Sequence, residues 1–427
     1  MKNIFLKRTI PAAVTCGIGL AGLFSAVSCS RFETDRIPEA SGRNAAVTAV
    51  GVVPENVALL LAATPMDLDQ VREVWAAVTA SSENGYDEEY PFRNLLQAPG
   101  SGVGADVLAA QGIPDPAGTR ALLPGAEPLR DRLAAAAGAC LAEEASETRS
   151  DMRRWDGFSS VQALLDALER SGLQVYWPYS EDWDGRTMPV VTFLPDRAWS
   201  PRTDGDVSNT AYAGRRKEDG SWEVTRMTVN EETARRRPVW VVNYNEDGDF
   251  LTPQLLGRLR PETAATRGAS DNKTLRLKEF KAHVHYDSWL SGGSEFFVKC
   301  GSLKAFTATV ASDLTQYTPE ITDLMIKVKR KQVLTTLRYN TILVPEWSPQ
   351  LTECVFLIHE DDGGKITTWK ASGEVKIKSK SYGFAVEFPY HRNDDIVWRG
   401  KLSSTYFEKN NGLPNRYGDV SITFTFN

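Results

Sequence analysis

Reactive residue types are scarce in this chain: 427 residues include only 4 histidines and 5 cysteines. Cys16 and Cys29 fall within or at the end of an apolar leader. Cys140, Cys300 and Cys354 remain, which allow at most one intramolecular disulfide and exclude a disulfide scaffold. Cys300 and Cys354 lie in strand-like apolar segments, where they can pair in an oxidising compartment or stay as buried thiols. Apolar burial holds a thiol protonated, so neither is placed for nucleophilic work. No Gly-x-Ser-x-Gly elbow occurs, and His359-Glu360 lacks the second His of a zinc-protease helix. Gly363-Gly364-Lys365 imitates the end of a phosphate loop, but His359 replaces its first Gly and Ile366 its Ser or Thr. Gly100-Ser101-Gly102-Val103-Gly104 follows Pro99 instead of a strand, which leaves dinucleotide binding unsupported.

Lysine is also missing from one half. Between Cys29 and Asn272 every basic residue except Lys217 is Arg, and 25 basic residues face 38 acidic ones, a net of −13. From Lys273 to Asn427 there are 21 basic residues, 15 of them Lys, against 17 acidic, a net of +4. A change of sign and of cation type at one place argues for separate domains. Arg260-Pro261 to Asn272, rich in Thr, Ala, Gly and Ser, is the natural linker. The whole chain is 42% hydrophobic and 24% charged with a net charge of −6, a globular composition that disfavours nucleic-acid partners.

The leader has a basic start at Lys2, Lys7 and Arg8, an apolar stretch from Ile10 to Val27, and the ending Ala26-Val27-Ser28-Cys29. Pro11 and many small residues make it a poor spanning helix. It resembles the leaders of bacterial lipoproteins. The resemblance implies cleavage before Cys29, acylation of that cysteine with diacylglyceryl and an N-linked chain, and anchoring to a bilayer through several acyl chains. By the sorting rule of such lipoproteins, Ser30 in place of Asp implies the outer membrane. Residues 1–28 are then signal peptide and 29–50 a flexible tether.

Residues 51–260 read as a mixed α/β domain. Leu68, Val71, Val74, Trp75 and Val78 fall on one helical face with Asp67 as cap, Leu129–Ala145 is Ala-rich, and Val161, Leu164, Leu165 and Leu168 form a third helix capped by Ser159 and stopped by Gly172. Apolar runs at Leu173–Trp177, Pro189–Leu194, Trp222–Val229 and Pro238–Tyr244 read as strands. After the linker 261–272, residues 273–427 read almost wholly as strands. Phe280–Asp287 alternates, Cys354–Ile358 and Ile366–Trp369 form a hairpin about Asp361-Asp362-Gly363-Gly364, and Glu374–Ser379 and Phe384–Phe388 form another. The expected fold is α+β multidomain, an N-terminal mixed helix/strand domain followed by an antiparallel β-sandwich. Tyr286-Asp287-Ser288-Trp289, Ser294–Lys299, Glu360–Gly364 and Asp394–Gly400 carry a resemblance to bacterial surface lipoproteins of unknown function. That resemblance implies a fold and an address, but no chemistry.

Asn243, Asn245, Asp247 and Asp249, with Gly248 and Phe250, follow the alternating oxygen pattern of a calcium loop. Gln254 stands where a bidentate Glu would close it, and a solvated turn after a strand is the competing reading. A second acidic site forms if the loops bearing Asp287, Glu360, Asp361, Asp362, Asp394 and Asp395 meet at one end of the sandwich. His283 and His285 share a strand face, with only His359 and His391 left to complete a zinc set. Tyr176, Trp177 and Tyr179 beside Pro178, with Trp183 close behind, read as a ligand-binding loop or as core. Lys327, Lys329, Arg330 and Lys331 crowd one segment, where they can meet anionic glycan or the acidic half, or guard a sheet edge. The expected function is a membrane-anchored envelope lipoprotein binding a glycan, peptide or envelope protein. A metal-assisted hydrolase sited in the N-terminal domain and a purely structural envelope protein are the alternatives, and calcium is the cofactor the loop at 243–249 would take.

Overall fold

A computed structural model describes residues 52–97, 125–146, 154–155, 157–195, 207–245, 250, 252–254 and 272–427. The leader 1–28, Cys29, the tether 29–50 and the linker as far as residue 271 lie outside the described residues. Among the described residues no helix is long and apolar enough to cross a membrane.

The first half builds a six-stranded sheet from β1 (Glu89–Pro91), β2 (Leu173–Tyr176), β3 (Val190–Phe193), β4 (Asn209–Arg216), β5 (Trp222–Val229) and β6 (Val239–Tyr244), in the order β1-β2-β6-β3-β4-β5. All pairs are antiparallel except β3 with β6. One face is covered by helices. α1 (Pro54–Ala63) starts on a proline whose missing N–H costs nothing there, and it buries Val57, Leu60 and Leu61. α2 (Leu68–Glu83) is closed by a capping box in which Asp67 Oδ1 accepts from Asp69 N at 3.0 Å and Gln70 Oε1 accepts from Asp67 N at 3.0 Å. Its expected face points inward through Val71, Val74 and Val78, whereas Trp75 stays partly exposed. The short α3 (Phe92–Leu95) follows β1, α4 (Leu129–Ser146) adds Leu133 and Ala137 to the core, and α5 (Val161–Glu169) adds Leu164 and Leu168. Ser160, not Ser159, caps α5, because its hydroxyl is the one that reaches Ala163 N, at 3.2 Å. α6 (Glu231–Arg236) joins β5 to β6.

The second half is a pair of antiparallel sheets sharing one core. One has the order β10-β7-β16-β15, from β7 (Lys273–Ala282), β10 (Leu337–Trp347), β15 (Pro414–Tyr417) and β16 (Val420–Phe426). The other has the order β13-β12-β11-β8-β9, from β8 (Ser294–Ser302), β9 (Glu320–Val328), β11 (Leu351–Glu360), β12 (Ile366–Ile377) and β13 (Lys380–His391), with β14 (Asp395–Ser403) also paired to β11. Phe280, Phe296, Phe356, Phe388 and Phe407 are fully buried between them, the last from α7 (Ser404–Lys409). The protein is therefore α+β, a mixed helix/strand region followed by a β-sandwich.

Two strand expectations are corrected. The chain leaves β7 at Ala282, not Asp287, because the inward positions are Leu275, Leu277, Phe280 and Ala282, while Val284 is 40% exposed. Cys354–Ile358 does not form a hairpin with Ile366–Trp369. That run is buried on both faces, so it takes neighbours on both edges: β8, with Phe356 opposite Cys300, and β14, with Phe356 opposite Gly400. β12 meets β11 only at Leu351 with Val375 and Glu353 with Glu374, and pairs along its length with β13. Cys140, Cys300 and Cys354 are free thiols, with burial and then Cys300 pushing the Cys354 thiol well up.

The second face of the first-half sheet is closed by the second half. Trp289 and Leu290, in the loop after β7, pack with Tyr176, Val190, Val239 and Val241, and the Trp289 indole N–H donates to Val207 O at 2.9 Å. The two halves therefore share an apolar contact as well as a chain. Trp289→Ala is expected to lower stability by about 3–5 kcal/mol, the usual loss for a buried aromatic. Urea unfolding of the variant checks this, and a change under about 1 kcal/mol would mean that the indole is not a packing element.

Candidate functional site at the seam between the halves

β9 ends in the cationic run flagged by the sequence, and all the carboxylates it meets except Glu295 belong to the acidic half. Lys327, buried at the strand's end with a side chain 4% exposed, pairs with Glu295 of β8 and lies 3.7 Å from Asp87. Lys329 Nζ reaches Glu88 Oε1 at 2.9 Å and also bonds Ser82. Arg330 forms a two-pronged contact with Glu231, Nε to Oε1 at 2.8 Å and Nη2 to Oε2 at 3.1 Å. Lys331 sits 3.0 Å from Glu181 and against Asp182. Asp87 also accepts from Gly293 N at 2.6 Å, and a Cβ on neighbouring Gly292 (φ +128°) would come within 2.5 Å of the same carboxylate. Glycine is needed there on both grounds.

These contacts set the protonation of the acids. Burial opposes ionisation of Asp87, yet Lys327 and a hydrogen bond with Glu88 hold it below the usual carboxylate range. For Glu88, burial first and then the Asp87 carboxylate push the pKa up to about 8, outweighing Lys329. Asp87 and Glu88 thus hold one proton between them at neutral pH, with Glu88 donating to Asp87. Glu231 is half-buried, which works against its charge, but hydrogen bonds from Arg330 and Tyr179 bring it down to about 2.

Along this seam opens a cleft of about 250 Å³ lined by Tyr176, Pro178, Tyr179, Glu88, Glu181 and the run Lys329–Gln332, among others. Tyr179 is held in the left-handed region, φ 63°, a conformation that disfavours a bulky side chain. Its hydroxyl donates to Glu231, and Arg235 and Lys331 each lie 5.2 Å from its ring centroid. Of the expected aromatic set, Tyr176 and Tyr179 line the cleft. Trp177 is fully buried instead, 5.5 Å from Trp183 and 5.9 Å from Trp240 between ring centroids. Trp183 is part of the same packed cluster and donates to Thr187 O at 2.9 Å.

The expected calcium loop is described only in part. Asp247 and Asp249 lie outside the described residues. Asn243 is buried and donates its amide to Leu290 O and Ser291 O at 3.1 and 2.8 Å, tying β6 to the second half. Asn245 donates to Glu89 Oε1 at 3.1 Å and Gln174 Oε1 at 2.8 Å. Of the six acidic residues expected to meet at one site, four fall in two separate groups whose oxygen or nitrogen atoms lie within 4.8 Å of one another: Asp361, His391 and Asp394, and Asp287, Glu295 and Glu360. The histidine pair is split. His283 binds Ser421 Oγ at 2.7 Å, while His285 turns to Asp287 O at 3.0 Å.

Asp87, Glu88, Glu231 and Glu295 were missed in the sequence. An acidic residue buried against a lysine from a distant segment has no local signature, and only the opposite net charges of the halves pointed this way. No protein-family profile, curated protein or solved structure matches the chain.

The raised pKa of Glu88 fixes a sign. A carboxyl that binds its proton more tightly when folded contributes fully below its unfolded value near 4.5 and loses that contribution as pH rises through about 8. Stability should fall across that window with a contribution of up to about 1.4 kcal/mol per pH unit from this group. Glu88→Gln should remove that component. Urea unfolding of both proteins from pH 5 to 9 measures it, and parallel profiles would contradict the shared proton.

Proposed function

We propose that this chain is a lipid-anchored lipoprotein of the outer membrane that acts as a binding module of the cell envelope. The address rests on the basic start, the apolar run and Ala26-Val27-Ser28-Cys29; several acyl chains on one residue give stable anchoring where a single chain does not. The observation that carries the binding role is the seam cleft, in which Tyr176, Pro178 and Tyr179 face cationic and acidic side chains contributed by both halves. Apolar walls with a few convergent polar groups are the usual make-up of a ligand site. Its roughly 250 Å³ suits one sugar ring or one peptide side chain of a larger envelope glycan or protein, not a whole cofactor. The strained backbone at Tyr179 supports the same reading, since such conformations gather at working sites.

Two measurements test this. Cells expressing the full chain are fed labelled palmitate: the native protein should carry label and partition with membranes, and Cys29→Ala should lose both. Purified native protein and Tyr179→Ala are then compared on arrays of envelope glycans and peptides, where the variant should bind at least about tenfold more weakly, the loss of about 1.4 kcal/mol. Unlabelled native protein would remove the anchor, and equal binding by the two forms would remove the cleft as the recognition surface.

A further inference from the structure

The group formed by Asp287, Glu295 and Glu360 differs from the ion-paired acids Glu88 and Glu231 of the seam. Glu360 ends β11 and is fully buried, and neither of its carboxylate oxygens has a hydrogen-bond donor. Asp287 Oδ2 beside it is likewise buried without a donor. Glu295, from β8, completes a ring of three carboxylates whose oxygens lie within 4.8 Å of one another. Its cationic contact is Lys327, which is shared with Asp87 at 3.7 Å. Lys327 is thus shared between Glu295 of its own half and Asp87 of the other. Lys329 is taken up by Glu88 and Arg330 by Glu231.

The adjacent group is built differently. Asp394 accepts from Asp362 N at 3.1 Å and His391 N at 2.8 Å and lies 2.8 Å from His359 Nδ1, while Asp361 accepts from Gly363 N and contacts His391, both at 2.9 Å. It closes on itself as a clamp between two turns. Glu360 and Asp287 Oδ2 have no such donors to close with. A buried carboxylate without donors is costly and is neutralised by a proton or a cation.

We propose that Asp287, Glu295 and Glu360 form a site for a hard divalent cation, Ca²⁺, that satisfies the buried, donor-less Glu360 carboxyl. Three carboxylates in an all-oxygen set, with water filling the remaining positions, suit calcium and lack the sulfur that would favour softer ions. Glu295 links the site to Lys327 and, through it, to Asp87 of the first half, so the ion braces the junction between the halves. The site is independent of the anchoring reading and of the loop at 243–249.

The test uses the full chain in detergent, stripped with a chelator and titrated calorimetrically with CaCl₂. One Ca²⁺ should bind per chain and raise the thermal midpoint. Glu360→Gln, which mimics the protonated acid and so should fold, and Asp287→Asn should each weaken binding at least about tenfold, whereas Asp247→Asn should leave it unchanged. No binding up to about 10 mM, beyond the range of weak calcium modules, would overturn the proposal. So would binding that survives both Glu360→Gln and Asp287→Asn, or that Asp247→Asn abolishes.

Discussion

The arrangement of the two halves depends on one buried ammonium. Lys327 stands between Glu295 of its own sheet system and Asp87 of the acidic half, with its side chain almost wholly withdrawn from water. Desolvating such a group costs several kcal/mol, so the position is tolerable only while carboxylates surround it. An apolar residue of similar volume would fill the space at less cost. The charge instead dictates which surface may dock there, because a junction lacking Asp87 leaves Lys327 incompletely paired. Trp289 and Leu290 supply the apolar gain that this ionic contact does not, by covering the second face of the first-half sheet. Specificity and adhesion thus come from neighbouring residues of different types.

This division explains the contrast in composition. The excess of acidic residues before residue 272 includes Asp87, Glu88, Glu181, Asp182 and Glu231, each facing the cationic end of β9. Arg330 is the cation used where two parallel hydrogen bonds are made, and lysines are used where a single point charge suffices. The cleft is a by-product of the same junction. Its charged walls are the outer members of the ionic seam, and Tyr179 is fixed by Glu231, Arg235 and Lys331 before any ligand arrives. A surface ordered in advance loses little entropy on binding.

Local order was legible where local physics decides it. The Asp67 capping box, the inward face of α2 and the bounds of β5 follow from periodicity and cap chemistry, and each appears within a residue or two of its expected place. The failures share a cause. β14 displaces the expected hairpin because a strand buried on both faces needs two neighbours, and the second comes from 35 or more residues away in sequence. β4, whose Gly and Arg content hides its alternation, was not foreseen, and Gly214 is held there by Ala62 O and the Trp222 ring, which leave no room for a Cβ. Convergence of the acidic loops was posed from the sequence as a condition. Pairing across the sheet meets that condition only in part, in two separate groups, and Glu295 was invisible because it reads as one residue of an ordinary strand.

The central claim is that Asp87 and Lys327 are energetically coupled across the halves, and a double-mutant cycle measures that directly. Asp87→Asn, Lys327→Met and the double variant of the full chain are unfolded in urea. Each single change is expected to cost about 3–5 kcal/mol because it removes one partner from a buried ionic contact. The double variant should lose at least about 1 kcal/mol less than the two singles together. Additivity within about 0.5 kcal/mol would contradict the account, since it would mean that the two groups do not sense each other.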